Sequence, residues 1–80
     1  MPWDPTTFGN NLRRQRAVCN MTQEELGKRV GVGPSTVAWL ECGKKNPSIG
    51  VFVALAEVLG VSPEELMGWK PKHKPPKASL

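Results

Sequence analysis

Apolar residues recur at intervals of three and four along most of the chain, the spacing of one face of an α-helix. Phe8, Leu12 and Cys19 share one such stripe, with Arg16 lying on it as well. Leu26 and Val30 form a second stripe, Val37 and Leu40 a third, and Leu66 belongs to a last short segment. The longest stripe is Ile49, Phe52, Val53, Ala56 and Leu59, which predicts a helix with a buried 3-4 face. No stretch alternates apolar and polar residues for long, and no Asn-Gly hairpin signal occurs. The pattern predicts an all-α chain of five short helices in one bundle.

The polar positions between these stripes mark where each helix starts and stops. Asp4-Pro5 opens the first, with aspartate as N-cap and proline at the first helical position, and Asn20 is a stop. Thr22-Gln23-Glu24-Glu25 is a capping box, in which hydroxyl and carboxylate each satisfy a backbone N–H left orphaned at the helix start. That second helix ends near Gly31. Gly33-Pro34 opens the third helix and Gly43 closes it. Ser48 caps the fourth, which Gly60 ends, and Ser62-Pro63-Glu64-Glu65 is a second capping box that opens a brief fifth helix through Leu66.

Eighty residues suit one small domain. The folded unit is expected over residues 5–68. After it, residues 69–80 carry the Lys/Pro-rich "KPKHKPPKASL", which has no apolar periodicity and reads as a flexible basic tail. Lysine and arginine number 11 against 7 acids, a formal net charge of +4. Lys70, Lys72, Lys74 and Lys77 lie in the tail, so residues 1–69 carry seven groups of each sign. Any nucleic-acid contact by the domain must therefore rest on where its charges sit, because their total is zero.

The remaining chemistry is sparse. Cys19 and Cys42 have no metal-ligand spacing, and the single histidine, His73, has no helical partner. Neither a disulfide framework, a metal site, a cofactor nor a small-molecule ligand is indicated, and no nucleophile–base constellation points to an enzyme. The first residues lack a basic region followed by an apolar run, so no secretory leader is expected, and no apolar stretch approaches the ~18 residues of a membrane span. The expectation is a cytoplasmic protein with reduced thiols.

The third helix poses the functional question. At about 100° per residue, Val37 and Leu40 fall on one face, whereas Ser35, Ala38, Trp39 and Cys42 fall on the other. The largest side chain of the helix is thus expected outside the core. "GVG", residues 31–33, is too short a link for antiparallel stacking, so the second and third helices should meet steeply, as in a helix-turn-helix. That arrangement projects the outer face of the second of the pair, able to enter a DNA major groove.

The segments "TQEELG", "ECGKKNPS" and "LAEVLGVSPEEL" together resemble the lambda-repressor-like helix-turn-helix family, the XRE or Cro type, over roughly residues 6–67. The resemblance implies a five-helix fold that binds double-stranded DNA. It implies phosphate contacts by Thr22 and Gln23, where a helix N-terminus favours anions, and by Lys44, Lys45 and Asn46 in the turn before the fourth helix. It places Gly33, Pro34, Ser35, Thr36 and Trp39 where base-reading side chains stand. Glycine and proline offer no side-chain donor there and tryptophan offers one, so bidentate readout is scarce and contact with a thymine methyl is the more natural role for Trp39. Two plainer readings stay open: Trp39 as edge packing of the core, and Lys44 and Lys45 as a solvated turn. Cys42 reads as a small filler and Cys19 as core.

The resemblance also implies an ion pair between the first and third helices, for which Arg16 and Glu41 are present. The leading function is a sequence-specific transcriptional regulator that binds a palindromic operator as a homodimer, with Leu66, Met67 and Trp69 as candidate dimer contacts. The alternatives are an antitoxin or restriction-controller type of regulator, and a protein-interaction module in which tryptophans anchor a partner without DNA.

Overall fold

Each helix but the third begins where a short polar side chain takes over an orphaned amide. In the computed structural model, which describes residues 3–68, the helices are α1 (Pro5–Val18), α2 (Gln23–Val30), α3 (Pro34–Glu41), α4 (Ile49–Leu59) and α5 (Pro63–Met67). Asp4 caps α1 by accepting from the Thr6 amide, and Pro5 stands at its first position. Both capping boxes are formed, Thr22 with Glu25 and Ser62 with Glu65, and Ser48 accepts from the Val51 amide. No strand occurs among the described residues. Asn20, after α1, takes a left-handed backbone with φ of 59°, a conformation that asparagine tolerates better than most residues.

The core is built from all five helices. Phe8 and Leu12 of α1 meet Leu26, Val37, Leu40, Leu55, Ala56, Leu59 and Leu66, with Cys19, Val30 and Phe52 packed against them. Both cysteines are free thiols; Cys19 is half-buried and its Sγ lies 3.7 Å from the Leu59 carbonyl oxygen, whereas Cys42 is exposed. α1 lies directly on the end of α3. A Cβ on Gly9 would come within 2.6 Å of the Leu40 carbonyl oxygen and closer still to that of Glu41, so only glycine admits this approach.

The structure corrects two expectations from the hydrophobic pattern. Ile49 and Val53 belong to the predicted inner stripe of α4, yet they are 81% and 46% exposed, and Leu55 is buried instead. The helix is apolar around most of its circumference (IGVFVALAEVL), so a 3-4 stripe can be drawn on more than one face. Packing against α2 and α5 selects the face carrying Leu55, Ala56 and Leu59. Leu66, a candidate dimer contact, is fully buried in the core and is not available to a second chain. Trp69 and the basic tail lie outside the described residues.

Candidate nucleic-acid interface

The pair α2–α3 is joined at Gly31, which ends α2 in the left-handed region and donates to the Gly27 carbonyl at 2.8 Å; Val32 donates to the same oxygen, also at 2.8 Å. α3 then starts at Pro34, and the Thr36 amide reaches back to the Gly33 carbonyl at 3.1 Å. Gly27 is required by the closeness of this turn, since a Cβ there would stand 2.6 Å from the Val32 carbonyl oxygen. The result is a tight helix-turn-helix whose second helix buries Val37, Leu40 and Glu41 and turns Trp39 outward.

Glu41 holds the angle of α3. Its carboxylate is buried and takes two hydrogen bonds from Arg16 of α1, from Nε at 2.5 Å and from Nη2 at 3.1 Å. A third comes from Gln23 Nε2 of α2 at 3.0 Å, and Arg16 Nη1 also donates to the Met21 carbonyl at 2.9 Å. The hydrogen-bonded carboxylate raises the Arg16 pKa above its already high value, so the guanidinium stays charged. Three helices therefore meet at one carboxylate. The role of Gln23 in this cluster has no signal in hydrophobic periodicity, because it depends on a contact with a residue eighteen positions away.

This cluster sets the start of α2 beside the end of α3, from which the turn bearing Lys44, Lys45 and Asn46 departs. At the start of α2 the capping box consumes the Thr22 and Glu25 amides, at 2.8 and 3.0 Å, leaving the Gln23 and Glu24 amides as the first free donors. The Gln23 side chain, a phosphate contact by resemblance, gives one N–H of its amide to Glu41 and keeps a second N–H donor. Gly33, Pro34 and Ser35 are exposed and Thr36 is half-buried. Trp39 is 49% exposed, so about half of its surface faces outward.

The turn is folded back on α3. The Lys44 amide donates to the Trp39 carbonyl at 2.9 Å, and the Lys45 ammonium stands over the Trp39 ring, 5.8 Å from its centroid. Lys45, Asn46 and Thr36 also line one cavity of about 370 Å³, together with Val32, Leu40 and Val51. Thus Trp39, Lys45, Thr36 and Asn46 are brought together, while Gly33, Pro34 and Ser35 stand at the start of the helix. Trp3 has no counterpart among the residues that the sequence pattern singles out, yet its indole N–H donates to Asn46 Oδ1 at 2.7 Å. It lies before the first helix, where periodicity carries no information.

Comparisons with known proteins agree with this architecture. The family described as the helix-turn-helix domain matches residues 7–67. An uncharacterized HTH-type transcriptional regulator of Archaeoglobus fulgidus is 46% identical over 55 residues, covering 69% of this chain and 78% of that protein. Among solved structures, the restriction-modification controller protein C.AhdI from Aeromonas hydrophila is similar at 35% identity with a TM-score of 0.75, over 79% of this chain and 96% of that one. The P22 c2 repressor, solved in complex with a synthetic operator, is similar at 28% identity with the same TM-score and the same coverage. The chain belongs to the helix-turn-helix domain family of transcriptional regulators, with the all-α lambda-repressor-like fold. These relatives are regulators and not enzymes.

Proposed function

We propose that this chain is a sequence-specific DNA-binding regulator that lays α3 in the major groove and grips the flanking phosphates through Lys44, Lys45, Asn46 and the amides at the start of α2. The observation that carries this reading is the outward Trp39 with Lys45 drawn over its ring, a large apolar reader beside a cation on one exposed face. Thr22 contributes through the helix start it organises, and Ser35 and Thr36 supply the hydroxyls of the reading face. Trp39 favours thymine methyls, since its indole can donate only one hydrogen bond. The likeness to a repressor solved on its operator supports the same reading.

A single module of this size makes few base contacts, so the operator is two-fold symmetric or nearly so and is bound by a homodimer acting in the cytoplasm. Met67, half-buried at the end of α5, is the remaining described candidate for the dimer contact. A controller-type regulator is the second reading, favoured by the likeness to C.AhdI over 96% of that protein. Selection of bound sites from random duplexes tests the proposal. The expected product is an enriched motif with two half-sites about one helical turn apart, bound by two chains. No enrichment, with duplex binding absent even at low salt, would favour the protein-interaction alternative.

A further inference from the structure

Trp3 stands outside the family-matched residues 7–67, yet it is tied both to the core and to the turn that follows α3. Its ring packs on Phe8, centroids 5.1 Å apart, and meets Phe52 edge-on at 6.3 Å, so its position is set by two aromatic neighbours. The next residue, Asp4, is fixed as well, its carboxylate held by the Thr6 amide at 3.0 Å and the Thr7 hydroxyl at 2.7 Å. The same segment holds the start of the turn. Gly43 lies against Pro5 and Thr6, and a Cβ there would reach 3.3 Å from the Thr6 Cα.

We infer that Trp3 is a positioning residue for phosphate binding by Asn46, an inference that rests on the DNA-binding reading. An indole N–H is a donor only, so the atom it meets at 2.7 Å must be the amide oxygen of Asn46. That leaves the two N–H groups of Asn46 Nδ2 facing away from the indole and engages the side chain's one acceptor atom. Asn46 is thereby presented as a donor, the polarity an anionic phosphate oxygen requires. Residues 3–6 hold the turn at both ends, Gly43 by packing and Asn46 by a hydrogen bond, with Lys44 and Lys45 between them.

The test is a double-mutant cycle on the whole chain with Trp3→Phe and Asn46→Ala. Phenylalanine keeps an aromatic ring against Phe8 and Phe52 and removes the N–H. Trp3→Phe should weaken binding to operator and to unrelated duplex alike, by about three- to ten-fold, the scale of one neutral hydrogen bond. The salt slope should stay unchanged, because the substitution alters no charge. In the Asn46→Ala background the same change should have no further effect. A readout without DNA accompanies it: the Trp3 indole proton should exchange more slowly in the wild type than in Asn46→Ala. Wild-type affinity in Trp3→Phe, an equal weakening in the Asn46→Ala background, or an indole proton indifferent to Asn46 overturns the inference. A wild-type protein that shows this slower indole exchange but binds no duplex overturns the DNA reading, and this inference with it.

Discussion

Arg16 and Glu41, twenty-five residues apart, form a two-pronged ion pair in which Glu41 is buried and Arg16 is only slightly exposed. A buried pair of this kind contributes little net stability compared with apolar packing, but losing one partner strands the other charge. Arg16→Ala should therefore cost ~3–5 kcal/mol, because Gln23 alone remains to satisfy the carboxylate. The double change Arg16→Met with Glu41→Leu should cost less than Arg16→Ala. Urea unfolding of the two variants measures this, and a cost for Arg16→Ala below about 1 kcal/mol would show that the carboxylate is not stranded.

Gly27→Ala has a sign that separates local preference from tertiary contact. Alanine in an exposed helix stabilises by up to ~1 kcal/mol relative to glycine. At Gly27 the new Cβ would meet the Val32 carbonyl oxygen at 2.6 Å, so the turn must shift. The expected outcome is destabilisation of ~1–3 kcal/mol, the range for overpacking. A rise in the urea midpoint would contradict the close approach.

Lys44 and Lys45 are proposed to hold phosphate and to read no bases. Their replacement by alanine should weaken all duplexes similarly and reduce the slope of log affinity against log salt by ~0.9 for each phosphate no longer neutralised. An unchanged slope in the double variant would remove both from the interface.

Trp39→Ala should separate folding from recognition. With about half the residue exposed, its removal should cost no more than ~1 kcal/mol in stability. At the preferred site it should cost ~1–3 kcal/mol of binding and flatten preference at one or two base pairs. Competition between duplexes differing at single positions checks this, and unchanged discrimination would sink the reading role.

Acid should loosen the helix starts first. The Thr22 amide and hydroxyl lower the Glu25 pKa from its ordinary 4.5, and the Thr7 hydroxyl with the Thr6 and Thr7 amides lowers that of Asp4 from 3.8. Both carboxylates bind protons more weakly folded than unfolded. Their contribution is thus complete above these ordinary values and disappears as pH falls through the lower folded ones. Thermal midpoints measured from pH 6 downward should hold level until about pH 5 and then decline. Those of Glu25→Gln should decline less steeply.

The helix boundaries are legible in the sequence because they are written in local chemistry. Asp4, Thr22, Ser48 and Ser62 act on amides two or three residues away, so their effect can be read from neighbours alone. The outward direction of Trp39 is legible for the same reason, since Val37 and Leu40 define the inner face. What is not legible depends on distant partners. Ile49 and Val53 look as apolar as Leu55, and only the placement of α2 and α5 tells them apart. Gln23 and Trp3 carry roles that arise from contacts with Glu41 and Asn46, eighteen and forty-three positions away.

Trp39 is joined to two successive lysines, by its main-chain carbonyl to the Lys44 amide and by its ring to the Lys45 ammonium. On the DNA-binding reading this couples choice of site to strength of grip within a single residue. A descendant that exchanged the tryptophan for another reader would recognise a different sequence and, in the same step, release Lys45 from its seat. On that reading, keeping the grip of Lys45 after a change at position 39 calls for a matching change at position 45.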